Sequence, residues 1–120
     1  MDDSNGKKFQ KDLNGGLVGL VLLAVLNQSA EDLYGYEIAK RLASANDGTS
    51  IFKEGTIYPV LRALSAAGLL TSRIVPSYSG PPRRYYRLTA DGKRALRAFR
   101  DEWAGFRTAV DAVLEKGGTL

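Results

Sequence analysis

Arg62, Arg83 and Arg84 are the side chains whose setting in this sequence points most directly to chemistry. Arg62 sits in Glu54-Gly-Thr-Ile-Tyr-Pro-Val-Leu-Arg-Ala-Leu, and Arg83 and Arg84 follow Ser79-Gly-Pro-Pro. A guanidinium presents a planar fork of donors that fits phosphate oxygens, or the O6 and N7 edge of a guanine. Other reactive types are missing, since the chain has no histidine and no cysteine. That excludes disulfides, thiolate nucleophiles, the common zinc sites and Ser-His or Cys-His catalysis. An acid–base pair would have to come from carboxylates, Tyr or Lys, and no close constellation of these stands out. No catalytic residue, metal or cofactor is therefore expected. The net charge of +4 agrees with an anionic partner.

The elements that must position these arginines can be read from spacing. Ile57, Val60, Leu61, Leu64 and Gly68 make an inward stripe at helical period, while Tyr58, Arg62 and Ser65 fall opposite. Pro59 is expected in the first turn, which sets the start near Gly55 or Thr56, and Gly68 is a natural stop. Before it, Tyr34-Gly-Tyr-Glu-Ile-Ala-Lys-Arg-Leu opens another helix with Ile38, Ala39 and Leu42 inward and Glu37, Lys40 and Arg41 outward. A turn cluster, Asn46 to Ser50, and the apolar pair Ile51 and Phe52 join the two helices. Two short helices linked by a brief turn predict a helix-turn-helix, with the second helix laid in a DNA major groove. Leu69 to Val75 and Arg83 to Leu88 read as strands around the turn-rich Pro76-Ser-Tyr-Ser-Gly-Pro-Pro. Arg84, Tyr86 and Leu88 take one face, Tyr85 and Arg87 the other. A hairpin in this position is a wing. Lys40, Arg41, Lys53, Arg83, Arg84 and Arg87 could supply phosphate contacts, and Arg62 or Thr56 base contacts.

The two ends of the chain call for a second copy. Leu13 to Gln28 reads as a helix so apolar, from Leu17 through Leu20 to Leu26, that one small domain covers only one side of it. Thr89 caps a long helix running to Lys116, with Asp91 in its first turn. Leu96, Phe99, Trp103, Phe106, Val110 and Val113 form a heptad seam along it. Roughly 27 residues at about 1.5 Å each span about 40 Å, so part of that helix projects. Homodimerisation through this seam and Leu20 is the expectation. Arg94, Arg97, Arg100 and Arg107 read as a solvated face paired with Asp91, Asp101 and Glu102. Residues 1–12 read as a flexible tail carrying Lys7, Lys8 and Lys11, and Ser29 to Leu33 as a polar connection. The run Leu17 to Leu26 is too short to span a bilayer, and no signal-peptide pattern precedes it. A cytoplasmic protein without a membrane partner is expected. The fold class is α+β, mainly α: a flexible tail (1–12), a winged helix-turn-helix (13–88), a C-terminal dimerisation helix (89–116) and a short tail (117–120).

Tyr34-Gly-Tyr-Glu-Ile, Glu54-Gly-Thr-Ile-Tyr-Pro-Val-Leu-Arg-Ala-Leu, Gly68-Leu-Leu, Gly80-Pro-Pro-Arg-Arg-Tyr-Tyr-Arg-Leu-Thr and Gly92 together resemble the PadR family of bacterial transcriptional regulators. The likeness covers roughly residues 13–116. The single C-terminal helix is similar to the short subfamily. The resemblance implies a winged-helix dimer on double-stranded DNA, acting as a repressor released from its operator by a small aromatic or drug-like molecule. It implies that Thr56, Tyr58, Pro59 and Arg62 lie on the groove helix. Tyr36 and Lys40 would stand near the DNA backbone, and Arg83 and Arg84 at the wing. It also implies a ligand role for Trp103, flanked by Phe99 and Phe106. Two other readings stay open on the residues alone: a winged helix that docks a protein, and a DNA-binding dimer without an effector.

Overall fold

Thirteen buried apolar residues, drawn from every helix but the last and from all three strands, make a single core. The computed structural model describes residues 4–45 and 52–117. In chain order these form α1 (Ser4–Gln28), β1 (Leu33–Tyr34), α2 (Gly35–Ala45), α3 (Glu54–Ala66), β2 (Leu70–Val75), β3 (Arg83–Leu88) and α4 (Ala90–Lys116). Val18, Leu22 and Leu23 of α1, Ile38 and Leu42 of α2, and Ile57 and Leu61 of α3 are almost wholly buried. Their three- and four-residue spacing puts each set on one face of its helix. Each such side chain contributes about 1.5–3 kcal/mol by leaving water. The three strands form an antiparallel sheet in the order β1-β3-β2, with Leu33 opposite Tyr86 and Leu70 opposite Leu88. Tyr86 and Leu88 turn inward and close the core from below.

Four expectations need correction. Residues 4–12, expected in a flexible tail, continue α1 as helix. Lys7, Lys8, Gln10 and Lys11 lose little rotamer freedom in a helix, and no proline stops it before Leu13. The connection before α2 contains a strand, because Leu33 and Tyr34 pair with β3. A two-residue strand has no readable alternation, so sequence period could not reveal it. Helix α3 starts at Glu54, with Thr56 N and Ile57 N both donating to Lys53 O at 2.9 and 3.0 Å. Pro59 therefore lies inside the helix and not in its first turn. The carbonyl that loses its partner belongs to Gly55, which is exposed and open to water. Finally, Tyr58 and Ser65 are half-buried, and Tyr58 packs against the core instead of the outer face. The predicted turn cluster at 46–50 and Ile51 lie outside the described residues.

From Gly6 to Gln28, α1 is long and apolar enough to cross a membrane by length and composition. Here its apolar stripe is the core itself, with Val18, Leu22, Leu23, Val25 and Leu26 buried against the other elements. At the far end of the chain, α4 leaves the core after Leu96, and residues 97–117 are exposed. The expected seam is exposed in this chain: Phe106 is 64% exposed, Val110 51% and Val113 70%.

The joint between α3, the wing and α4 is tightly specified. Helix α3 ends in a Schellman motif, with Leu69 N donating to Leu64 O and Gly68 N to Ser65 O, both at 3.0 Å. The motif needs a left-handed residue, and Gly68 supplies it with φ of +80°. Thr89 then ties the opposite end of the wing to this point. Its hydroxyl donates to Gly68 O at 2.7 Å and accepts from Gly92 N at 2.9 Å, capping α4, while its own N–H donates to Leu69 O at 3.1 Å. Gly92 presses its Cα against the same turn: a Cβ there would collide with Leu69 O. Gly92→Ala should therefore destabilise the fold by about 1–3 kcal/mol, as overpacking against backbone does. Gly105→Ala, which meets nothing within 4 Å, should be neutral or stabilising by up to about 1 kcal/mol. Urea unfolding of the two variants checks the contrast.

Candidate nucleic-acid interface

The outer face of α3 is built from small or flat residues around one cation. Gly55, Pro59, Arg62 and Ala63 are exposed there, and Thr56 is half-buried beside them. With no bulky neighbour, the α3 backbone can approach a groove closely and Arg62 is the longest reach from it. The wing stands next to it. On β3, alternation puts Arg84 on the side of Tyr86, and Arg83 on the side of Tyr85 and Arg87. Arg84 is held by Ser72 on β2, its Nη1 donating to Ser72 Oγ at 3.0 Å. Burial pushes the Tyr86 hydroxyl above its ordinary pKa, and the nearby charges of Arg84 and Arg62 partly offset that. One tyrosine thus feels the cation of the helix and the cation of the wing together. Both arginines are exposed, and both lie near enough to Tyr86 for their charges to act on it.

Helix α2 presents its N-terminal turn beside the wing. Tyr36 is 59% exposed, and Lys40 and Arg41 are also exposed. Lys53, at the N-cap of α3, is exposed as well. Arg83 lies over the ring of Tyr34, with 4.5 Å from its Cζ to the ring centroid. Tyr58, also expected to face DNA, is turned toward the core. Its ring lies over Gly35 at the start of α2, where a Cβ would meet it at 2.5 Å. It braces α3 against α2 and leaves the outer face of α3 to Arg62, Thr56 and Pro59.

Two arginines on the sheet's other face are committed within the protein. Asp32 accepts from Arg87 through Nε at 2.9 Å and Nη2 at 3.3 Å, and from Arg73 Nε at 3.1 Å. The Asp32 side chain is 13% exposed. The hydrogen bond from Arg87, with help from Arg73, holds its carboxyl below the usual carboxylate range against the opposing effect of burial. Arg87, counted among the candidate phosphate contacts, is engaged by Asp32 here instead. Sequence reasoning missed Asp32 because it lies 41 and 55 residues from its partners. The acidic pair Glu31-Asp32 directly before Leu33 and Tyr34 was the one available signal.

Helices α1 and α4 enclose an open cleft of about 520 Å³. Leu20, Ala24 and Leu96 line it with Trp103, while Lys93, Arg97 and Arg100 stand at its edge. Trp103 is 41% exposed. Phe99 and Phe106, expected beside it, do not line the cleft. Arg94 pairs with Asp91 and Arg100 with Asp101, so part of the basic run on α4 is locally compensated. Glu102 forms no ion pair among the described residues. No group of three or more metal-ligating side chains occurs among the described residues.

A helix-turn-helix followed by a hairpin, with cations on the second helix and at the hairpin's edge, defines a winged-helix DNA-binding protein. The chain belongs to the Transcriptional regulator PadR-like family, whose profile matches residues 22–98. A PadR family transcriptional regulator from Eggerthella lenta is similar, with 33% identity and a TM-score of 0.68, over 94% of this chain and 95% of that one. A transcriptional regulator from Clostridium thermocellum is 28% identical with a TM-score of 0.75, over 84% and 96%. An uncharacterised protein of Lysinibacillus sphaericus is 29% identical over 103 residues, 86% of this chain and 92% of that one. Membership implies DNA-binding regulation of transcription. The fold is the winged helix expected from the sequence.

The Asp32 contacts predict a pH dependence. A carboxylate whose folded pKa is depressed stabilises fully above its unfolded pKa, and that stability is lost as pH falls through the folded value. Urea unfolding of wild type and Asp32→Asn should therefore differ by a constant amount from neutral pH down to about pH 5. The gap should narrow as pH falls through and below the usual carboxylate range. A gap independent of pH would show that the ion pairs contribute nothing.

Proposed function

We propose that this chain is a homodimeric repressor that reads a palindromic operator through Arg62 and is released by a small aromatic or drug-like molecule. The observation that carries the DNA half of this reading is that Arg62 on α3 and Arg84 on the wing are both exposed and both near Tyr86. One cation would reach a base edge while the other would reach a phosphate. Thr56 and Pro59 would line the groove face, and Lys40, Lys53, Tyr36 and Arg83 would meet the DNA backbone. The apolar seam of α4 supports the dimer. Phe99, Trp103, Phe106, Val110 and Val113 leave more apolar surface in water than an isolated helix keeps without a partner. Leu20 of α1 and Leu96 continue that surface at the cleft. Two such subunits related by a twofold axis would engage half-sites about 34 Å apart. The protein would act in the cytoplasm, where a bacterial operator is accessible.

Arg62→Ala tests the base-reading role. Binding to a genomic fragment selected by the purified protein should weaken by about 1–3 kcal/mol, and binding to a scrambled duplex should change little. Equal losses on the two duplexes would reduce Arg62 to a phosphate contact. The effector half rests on Trp103 lining the α1–α4 cleft. Trp103 is the single tryptophan, so its emission reports on that site alone. A panel of phenolics and planar cationic drugs should contain compounds that both shift the emission and release the DNA. Release without any change at Trp103 would place the effector elsewhere.

A further inference from the structure

The four cations of the wing fall into two groups according to what holds them. Arg73 and Arg87 are held by a carboxylate, Asp32, whose single negative charge offsets one of their two positive charges in place. Arg84 is held by a hydroxyl, Ser72, and Arg83 by an aromatic face, Tyr34. Neither of these two forms an ion pair among the described residues. The difference matters for binding an anion. A carboxylate orients a guanidinium and neutralises it, whereas a ring orients it and leaves the full charge available.

Tyr34 is itself fixed more firmly than an exposed-edge residue needs to be. Its N–H donates to Glu37 Oε1 at 3.1 Å, the return bond of a capping box at the start of α2. Its backbone pairs with Tyr85 across the sheet. Its ring tilts against Tyr85 at 5.4 Å and runs nearly parallel to Tyr36 at 6.2 Å. Tyr85 in turn lies under Arg73, 5.1 Å from Cζ to centroid, and Arg73 is anchored on Asp32. A chain of contacts thus runs from Asp32 through Arg73, Tyr85 and Tyr34 to Arg83. It ends on a cation with no counter-charge.

We propose that Tyr34 is a positioning residue for DNA binding: its ring holds the Arg83 guanidinium in place, still fully charged, to meet a backbone phosphate. The inference rests on the proposed role of the wing as a phosphate contact. A long exposed side chain normally loses rotamer freedom when it binds, and one already seated on a fixed ring loses less. Tyr34 touches no DNA in this account. It acts through Arg83 alone.

The test uses the full chain, a labelled mixed-sequence DNA duplex and salt between about 50 and 200 mM. Arg83→Gln should lower the slope of log affinity against log salt by about 0.9, the signature of one phosphate contact. Tyr34→Leu should weaken binding about two- to five-fold, as expected for loss of an exposed cation–π contact. Tyr34→Phe should bind as wild type, because the ring and not the hydroxyl does the holding. In the Arg83→Gln background, Tyr34→Leu should change nothing further. Independent, multiplying losses from the two substitutions would overturn the positioning role, as would a Tyr34→Phe defect equal to that of Tyr34→Leu. An Arg83→Gln protein with unchanged affinity and slope would overturn the wing's phosphate role instead, and the inference with it. Should Tyr34→Leu fail to fold, Arg83→Lys carries the same question. Lysine keeps the charge without the flat stacking, so it should restore the salt slope but only part of the affinity. Full recovery of affinity would overturn the need for the ring.

Discussion

Leu69 O occupies the space that any side chain on residue 92 would need, and much of the molecule follows from that contact. The same carbonyl accepts the N–H of Thr89, whose hydroxyl binds Gly68 O and caps α4. Three elements with different tasks therefore meet within a few atoms: the end of α3, the root of the wing and the first turn of α4. Rotation between them is blocked in two ways. Backbone hydrogen bonds fix the direction of the chain, and the close approach at Gly92 removes the gap through which α4 could tilt. In a dimer joined along α4, the separation of the two α3 helices would be set at this joint. Few residues could be substituted there without altering that separation.

Charge in the wing is apportioned, not merely accumulated. The chain's excess of cations is modest at +4, and Asp32 engages two of the sheet's arginines and offsets one of their two charges. What those pairs do is structural. Asp32 precedes β1, so its bonds to β2 and β3 stitch all three strands together at the wing's root. An exposed ion pair contributes little, but one nearly buried carboxylate shared by two arginines constrains geometry as well as energy. The remaining arginines, Arg83 and Arg84, lie on opposite faces of β3 and keep their charge. Arg84 shares the side of Arg62, and Arg83 shares the side of Tyr34 and Tyr36.

Most of the architecture was legible because it is carried by local period. The inward stripes of α2 and α3, the hairpin, the Thr89 cap and the seam of α4 each depend on residues within one element. The α3 stop was readable for the same reason, since a glycine after a helix is a positional signal. What escaped the sequence was non-local or too short to have a period. Strand β1 has two residues, and its existence is decided by β3. Asp32 finds its partners far along the chain. Tyr58 was misplaced because a residue at the border of two faces is assigned by its neighbour, here Gly35, and not by its own angle on the helix. The helical start at Ser4 was missed because propensity alone extends α1 there, with no burial to mark it. Family motifs placed the wing arginines correctly at the wing but carried no information about what each one touches.

The unpaired seam and the bracing of the wing belong to one mechanical scheme. Beyond Leu96, α4 is exposed along its whole length, whereas its first turn is held to Leu69 by contacts too close to yield. A helix fixed at one end and free along the rest passes any displacement of its free part to the fixed end. Trp103 sits just past the boundary, where α4 still faces α1 across the cleft and has left the core. A molecule wedged between Leu20, Leu96 and Trp103 would push at a point about seven residues from the last core contact, roughly 10 Å along the helix. The joint is too tight to absorb that push by bending, so it would be delivered to α3 and the wing as a rigid-body shift. The wing cannot compensate by deforming, because Asp32, Tyr85 and Tyr34 hold it to α2. Stiffness at both the joint and the wing is what would let a ligand in the α1–α4 cleft be felt by the cations of α3 and the wing.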